Sequence, residues 1–419
     1  MIPTSSQDIA HSKFCDWLTT QNPIPFAIDG GAGSGKTFTL MNLIMPELMA
    51  RRADFILTST THQANQMLTA NLLATTKEGE PPSTLHSFLG LQPTTQKQLR
   101  NPKGFEQCGY KMRNKFPSRD TFILVIDEAY RIDRTLYEII IYLFPMARLV
   151  LIGDPFQVPP VGEQRSYLEE IQTERVLLLE SPRFINGGSL GRVVTDLRLS
   201  VESNSNNYWD IITSVDDAHI QKGSRSGTRT LVNELVDTNQ PIKDSEFVLL
   251  SGTKKGEAAY NDYIMRRRGD AGHDLVHAGE PFTIETVIEA SYEEQSDSVA
   301  ALRKQRQFDY RMINADWEAC KYGMYTQYDA NTVLILITPW ATRTAHQDFI
   351  KLVANARKKG HDIVFMRLNI ARTIHLAQGL TSQLVLLDSD TVQKWANHNM
   401  RRRLLYTGTS RAAKKFIHF

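Results

Sequence analysis

The sequence predicts an α/β protein of two parallel-sheet domains, each carrying an insertion. Three observations lead there. Short apolar runs alternate with helix-like segments along residues 1–180. The alternation resumes after Arg183, and two stretches, 91–118 and 276–366, interrupt it. Strands that are apolar throughout and separated by helices belong in a parallel sheet covered on both faces.

In the first domain, 1–180, the strand-like runs are Phe26–Ile28, Phe55–Thr58, Phe122–Ile126, Leu149–Ile152 and Val176–Leu179. Each closes on polar residues or glycine. Residues 91–118 are polar, rich in Lys, Gln, Asn, Pro and Gly, and read as a surface insertion of hairpin type. The second domain is expected over 181–275 and 367–419. Phe247–Ser251 reads as a strand, Lys254–Arg268 as a helix, and Ile363–Phe365, Leu384–Leu387 and Phe416–Phe419 as further strands. Pro281–Ala290 alternates as a strand does, so 276–366 is expected to form an inserted small β-rich domain.

Composition narrows the class. At 419 residues the chain exceeds one compact core. Its 41% hydrophobic and 22% charged content is that of a soluble globular protein. No apolar run approaches the roughly 18 residues a membrane-spanning helix needs. The start, Met1-Ile2-Pro3-Thr4, has no basic segment followed by an apolar one, so no secretion signal and no membrane partner is expected. Lys and Arg total 48 against 46 Asp and Glu, a balance that neither demands nor excludes a nucleic-acid partner. Arg266–Arg268 and Arg401–Arg403 either meet phosphates or lie along solvated helix faces. Cys15, Cys108 and Cys320 form no CxxC pair, which fits a reducing, cytoplasmic setting without a disulfide framework or zinc site. His273 and His277 have helical metal-ligand spacing without the glutamate of HExxH, a chance spacing.

The chemistry is concentrated in the first domain. Gly30, Gly31, Ala32, Gly33, Ser34, Gly35, Lys36 and Thr37 spell GxxxxGK[ST] in full, between the strand Phe26–Ile28 and the helix-like Phe38–Leu48. Glycines let backbone N–H groups turn inward around phosphates, and the helix start adds a favourable dipole. Lys36 is placed to hold the β- and γ-phosphates of ATP, and Thr37 to ligate Mg²⁺. The strand Ile123–Ile126 delivers Asp127 and Glu128 at its C-terminal end, where open α/β sheets bind ligands. Asp127 can hold Mg²⁺ through water, and Glu128 can polarise the attacking water. A third strand end, Gly153-Asp154-Pro155-Phe156-Gln157, offers Gln157 as a γ-phosphate sensor, or is a simple turn.

Together these segments resemble superfamily 1 helicases of the 5′-to-3′, RecD-like branch, and further segments extend the likeness over nearly the whole chain. The resemblance implies two RecA-like motor domains. It implies that Gln7 meets adenine and that Thr61-His62 and His86-Ser87 touch the strand backbone. Residues 91–118 then fall where the family inserts its strand-separating pin. Arg183 is similar to the family arginine that reaches the γ-phosphate from the second domain. Gly252-Thr253 and Asn261 stand where the family has Thr-Asn and a later Asn. Thr373-Ile374-His375-Leu376-Ala377-Gln378-Gly379-Leu380-Thr381 closely resembles the family's fifth motif, with Thr373 and His375 on the strand and Gln378 and Gly379 near the nucleotide. Arg411, in Tyr406–Ala412, matches the arginine finger, although Ser410 stands where the family has Thr. The 276–366 insert matches the family only loosely.

What the resemblance implies is an ATP- and Mg²⁺-dependent monomeric DNA helicase, in the host cytoplasm if phage-encoded, acting on single-stranded DNA and duplex junctions. ATP would lie between the domains, with Lys36, Thr37, Asp127 and Glu128 on one wall and Arg183 and Arg411 on the other. Phe88 and Trp340 can stack bases or belong to cores. A helicase or translocase on RNA, a P-loop small-molecule kinase and a non-catalytic ATP-dependent binding module are the alternatives. Two distant arginine motifs speak against the kinase, and the intact Lys36, Asp127 and Glu128 speak against the binding module.

Overall fold

A computed structural model describes residues 2–20, 23–61, 64–65, 68–69, 72, 82–93, 110–112, 121–160, 162–181, 188–273, 277, 280–288, 318–320, 323–329, 332–337, 355 and 358–419. The chain forms two compact units, Met1–Ser205 and Asn206–Phe419. The expected boundary at 180 therefore moves: helix Gly188–Glu202 belongs to the first unit, where the Arg198 guanidinium lies over the Phe156 ring.

The first unit opens with α1 (Ser5–Thr19), started by a capping box in which Thr4 and Gln7 satisfy each other's backbone N–H groups. β1 (Phe26–Gly30) follows, then α2 (Lys36–Thr39), a π-helical turn (Leu40–Ile44) and α3 (Met45–Ala50) in one continuous helical run. Pro46 has no N–H to give and its ring conflicts with the carbonyl four residues back; the wider turn before it accommodates both. The remaining strands are β2 (Phe55–Ser59), β3 (Ser83–Thr84), β4 (Leu91–Pro93), β5 (Tyr110–Met112), β6 (Ile123–Asp127), β7 (Arg148–Gly153) and β8 (Glu174–Leu178). The helices are α4 (Leu85–Phe88), α5 (Arg134–Leu143) and α6 (Gly188–Glu202).

Six strands form one sheet, ordered β3-β2-β6-β7-β1-β8 and parallel throughout. Alternate residues point to opposite faces, and both faces are covered. Phe26, Ile28, Val125 and Ile152 pack with Phe14 and Trp17 of α1 and with Leu40 and Leu48. Ala27, Leu124, Ile126 and Leu151 pack with Leu136 and Ile140 of α5. The edge strand departs from expectation: Leu177, and Leu179 just beyond β8, are exposed, so this strand is buried on one face only. β4 and β5 pair antiparallel within 91–118; the rest of that stretch lies outside the described residues.

The second unit contains α7 (Tyr208–Thr213), β9 (Ile220–Lys222), α8 (Arg225–Asp237), β10 (Phe247–Ser251), α9 (Lys254–Asp270), β11 (Phe282–Ile288), β12 (Glu318–Cys320), β13 (Gly323–Asp329), β14 (Thr332–Ile337), β15 (Asp362–Leu368), β16 (Ala371–Thr373), β17 (Ser382–Asp388), α10 (Ser389–Gln393), α11 (His398–Thr409) and β18 (Ala412–His418). Its parallel sheet runs β16-β10-β17-β18-β9. A second, mixed sheet runs β11-β15-β14-β13-β12. This is the β-rich stretch read from 276–366, but β15 runs past that limit to Leu368. Leu334, Val364, Met366 and Leu368 share one core with Val232, Leu249 and Leu386. Among the described residues no helix is long and apolar enough to cross a membrane.

Candidate active site

The phosphate loop begins where β1 ends. Gly35 has φ +82°, a left-handed conformation that suits glycine, and a Cβ there would lie 2.3 Å from Gln7 Nε2. That close approach is used: Gln7 Nε2 donates to Ser34 O at 3.0 Å, and Gln7 Oε1 accepts from Thr4 N at 3.0 Å. Gln7 is thus a buried splint between α1 and the loop. Lys36 Nζ donates to Gly30 O at 2.9 Å and Gly31 O at 3.1 Å. Ser34 Oγ is buried with no hydrogen-bond partner. An ammonium folded onto a glycine-rich loop, beside an unmet hydroxyl and ahead of a helical run, fits a triphosphate.

Asp29, directly before the loop, is 3% exposed. Tyr130 OH donates to its Oδ1 at 2.7 Å, and Arg175 Nε lies 3.2 Å from Oδ2. Burial pushes its pKa up to about 6 against the pull of Tyr130, Arg175 and Lys36. Tyr130 also explains Gly153: a Cβ there would stand 2.8 Å from the tyrosine ring.

β6 ends on Asp127, whose Oδ1 accepts from Glu128 N at 2.8 Å. Burial first, then the charge of Glu128, hold the Asp127 carboxyl above the usual range. Thr37 and Asp127 are the oxygen donors suited to Mg²⁺, whose charge would favour the ionised carboxylate. From the end of β2, Thr60 N donates to Asp127 O at 3.2 Å and Thr60 Oγ1 to Glu128 O at 2.8 Å. After β7, buried Gln157 donates from Nε2 to Asp154 Oδ2 at 3.1 Å.

The second unit gathers the fifth-motif residues at the ends of its parallel strands. Thr373 N donates to Glu257 Oε2 at 2.7 Å. The His375 ring lies 5.7 Å from that of Trp395, whose Nε1 donates to Gly252 O at 2.9 Å. Gln378 is buried, and Gly379 has φ +82°. Arg411 is 5% exposed and held at the end of α11. Its Nη2 donates to Ser410 Oγ at 2.8 Å, its Nε donates to Thr407 O at 3.1 Å, and Ser410 Oγ itself donates to Thr407 O at 2.8 Å. The serine hydroxyl retained in place of threonine therefore orients the guanidinium.

The AAA domain family matches residues 19–163, and the UvrD-like helicase C-terminal domain matches residues 370–417. The chain is 22% identical to the ATP-dependent DNA helicase dda of Enterobacteria phage T4, over 92% of each. Among solved structures it resembles a Pif1 helicase from a study of unwinding at forked duplex DNA by two coordinating copies, with TM-score 0.51 and 15% identity over all of this chain and 92% of that one. It also resembles Bacteroides Pif1 with ADP-AlF₃ and single-stranded DNA, with TM-score 0.50 and 16% identity over the same shares. The first unit thus carries an AAA domain and the second a UvrD-like helicase C-terminal domain.

Several expectations change in the structure. Arg267 forms an ion pair with Asp237 through two hydrogen bonds, and buried Arg268 pairs with Glu280, so neither offers a free phosphate contact. Arg402 and Arg403 are buried in α11, and Arg402 Nη1 donates to Asn206 Oδ1 at 3.1 Å. Phe88 packs its ring against Phe122 and Phe144 and is core. Thr253 caps α9, accepting from Gly256 N at 3.1 Å, and Asn261 clamps both backbone groups of Ala371. α9 ends at Asp270, so the spacing of His273 and His277 falls on no helix. His86 is half-buried and Ser87 exposed on α4. His62, Arg183 and Trp340 lie outside the described residues.

Sequence reasoning passed over Asp29, Thr60, Tyr130, Arg175 and Trp395. Asp29 carried the one usable signal: an acid as the penultimate residue of a strand otherwise apolar or glycine. The others act through partners far along the chain.

Proposed function

We propose that the chain is an ATP-dependent DNA helicase that tracks single-stranded DNA 5′-to-3′ and unwinds the duplex ahead. The observation that carries this is the pairing of a complete phosphate loop and strand-end acid pair in one unit with a buried, serine-oriented arginine in the other. The match to the T4 DNA helicase over 92% of both chains supports the same reading. Lys36 holds the terminal phosphates; Thr37 and Asp127 would hold Mg²⁺, which would supply positive charge beside the phosphate oxygens. Glu128 polarises the attacking water. Gln157 reports the γ-phosphate, and Gln378 and Gly379 lie near the nucleotide. Arg411 and Arg183 stabilise the transferring phosphoryl group; a fixed, permanently charged guanidinium fork suits that role. Thr61, His62, His86, Ser87, Thr373 and His375 contact the strand backbone, positioning it without reading sequence. The enzyme acts as a monomer in the cytoplasm, that of the host if it is phage-encoded.

ATP turnover and unwinding, measured on DNA and RNA duplexes with a 5′ or 3′ overhang, test the reading. Single-stranded DNA should stimulate hydrolysis and only the 5′-overhang DNA should be unwound. Lys36→Ala should abolish hydrolysis yet retain strand binding. Hydrolysis indifferent to nucleic acid, or unchanged in Lys36→Ala, refutes the assignment, and RNA-selective stimulation replaces DNA by RNA as the track.

A further inference from the structure

We propose that Thr60 is the positioning residue through which a bound strand sets the backbone of Glu128. The inference rests on the helicase reading and adds a residue to it. Glu128 has φ +53° and ψ 38°, a left-handed conformation that non-glycine residues hold only when surroundings impose it. Four hydrogen bonds impose it here. Glu128 N donates to the side chain of Asp127, Thr60 N and Thr60 Oγ1 donate to the carbonyls of Asp127 and Glu128, and Arg131 N also donates to the Glu128 carbonyl at 3.2 Å. Two of the four come from Thr60, and they are the two that reach this turn from another strand.

Thr60 stands at the end of β2, which is itself stapled to β6. Thr58 Oγ1 donates to Val125 O at 3.0 Å, and Ser59 registers with Asp127. The next residue, Thr61, begins the loop proposed to meet the strand. Its Oγ1 accepts from Ala64 N at 3.1 Å, and its carbonyl accepts from Ser59 Oγ at 2.7 Å. Thr61 is thus tied by hydrogen bonds both to Ser59 before it and to Ala64 after it. A strand phosphate that shifts Thr61 shifts Thr60, and Thr60 carries the shift to the Glu128 carbonyl. Rotation about the Glu128 backbone redirects its Cα–Cβ bond, and with it the carboxylate that orients water. One residue thus joins the track contact to the catalytic acid.

The test uses the full chain, a single-stranded oligo-dT as probe, and three variants: Thr60→Val, Thr60→Ser and Thr60→Ala. Thr60→Val keeps the shape and removes the hydroxyl. Strand-stimulated kcat should fall about tenfold, some 1.4 kcal/mol of barrier. The KM for ATP and the oligo-dT affinity should stay within about twofold of wild type. Thr60→Ser should restore kcat. Should Thr60→Val not fold, Thr60→Ala at this half-buried position carries the same expectation. A wild-type kcat in the valine variant overturns the proposal, as does a loss shared with KM or strand affinity, or a serine variant as slow as valine. An unstimulated wild-type enzyme would instead overturn the helicase reading; a stimulated wild type with an unaffected Thr60→Val overturns the role of Thr60 alone.

Discussion

Replacing Tyr130 by Phe should destabilise the first unit by an amount that grows with pH. The tyrosine hydroxyl donates to Asp29 Oδ1 at 2.7 Å inside the sheet core, and Asp29 is 3% exposed. Burial raises the Asp29 pKa from 3.8 to about 6. A carboxyl that is harder to ionise when folded contributes stability that is complete below the unfolded pKa, near 4, and is lost as pH rises through about 6. The shift corresponds to about 3 kcal/mol against the folded state once the group is charged. Tyr130 offsets part of this, because a hydrogen bond to a charged acceptor contributes about 1.5–3 kcal/mol and one to a neutral acceptor about 1. Phenylalanine keeps the ring against Gly153 and removes only the donor. Urea unfolding of wild type and Tyr130→Phe should therefore differ by about 1 kcal/mol near pH 4 and by about 1.5–3 above pH 7. A difference that is flat with pH, or under about 0.5 kcal/mol throughout, would refute the assignment of Asp29 as a buried, titrating anion stabilised by Tyr130.

Three further outcomes follow from other contacts. Arg411→Ala should lose about 10³-fold or more in strand-stimulated turnover with nucleotide binding preserved, read by steady-state kinetics beside nucleotide titration; equal loss of both argues against the finger. Ser410→Ala removes the oxygen that accepts from Arg411 Nη2 and should cost about tenfold in kcat, while Ser410→Thr, which keeps the hydroxyl, should stay near wild type; equal rates in both variants would deny the serine its orienting role. Glu280→Ala strands the buried Arg268 guanidinium and should cost about 3–5 kcal/mol in thermal or urea unfolding; a loss below 1 kcal/mol would mean that the pair is solvated.

The chain announces its sheets openly. β1, β2, β6, β7, β10 and β17 lie on runs that are largely apolar in sequence, because a strand buried on both faces needs apolar side chains at nearly every position. Short strands such as β3, β9 and β16 went unseen, since two or three residues carry no pattern. The phosphate loop and acid pair were legible for the same local reason: contiguous residues perform one task, and glycines mark where backbone must approach a ligand. The charged clusters were not. Arg266–Arg268 and Arg401–Arg403 look alike as strings, yet Arg267 and Arg268 are tied to Asp237 and Glu280, and Arg402 and Arg403 are buried in a helix.

By itself, then, the sequence determined the α/β class, the long apolar strands, the phosphate-loop motif with Lys36 and Thr37, and the Asp127-Glu128 pair at a strand end. Each of these is written in neighbouring residues. The tertiary structure alone decided that Tyr130 and Arg175 flank Asp29, that Thr60 holds the Glu128 turn, that Trp395 backs His375, and which arginines are spoken for. Those are pairings between residues far apart in the chain, made when parallel strands set their C-terminal ends side by side. A side chain's partner and its burial are properties of that assembled surface and not of the string of residues around it.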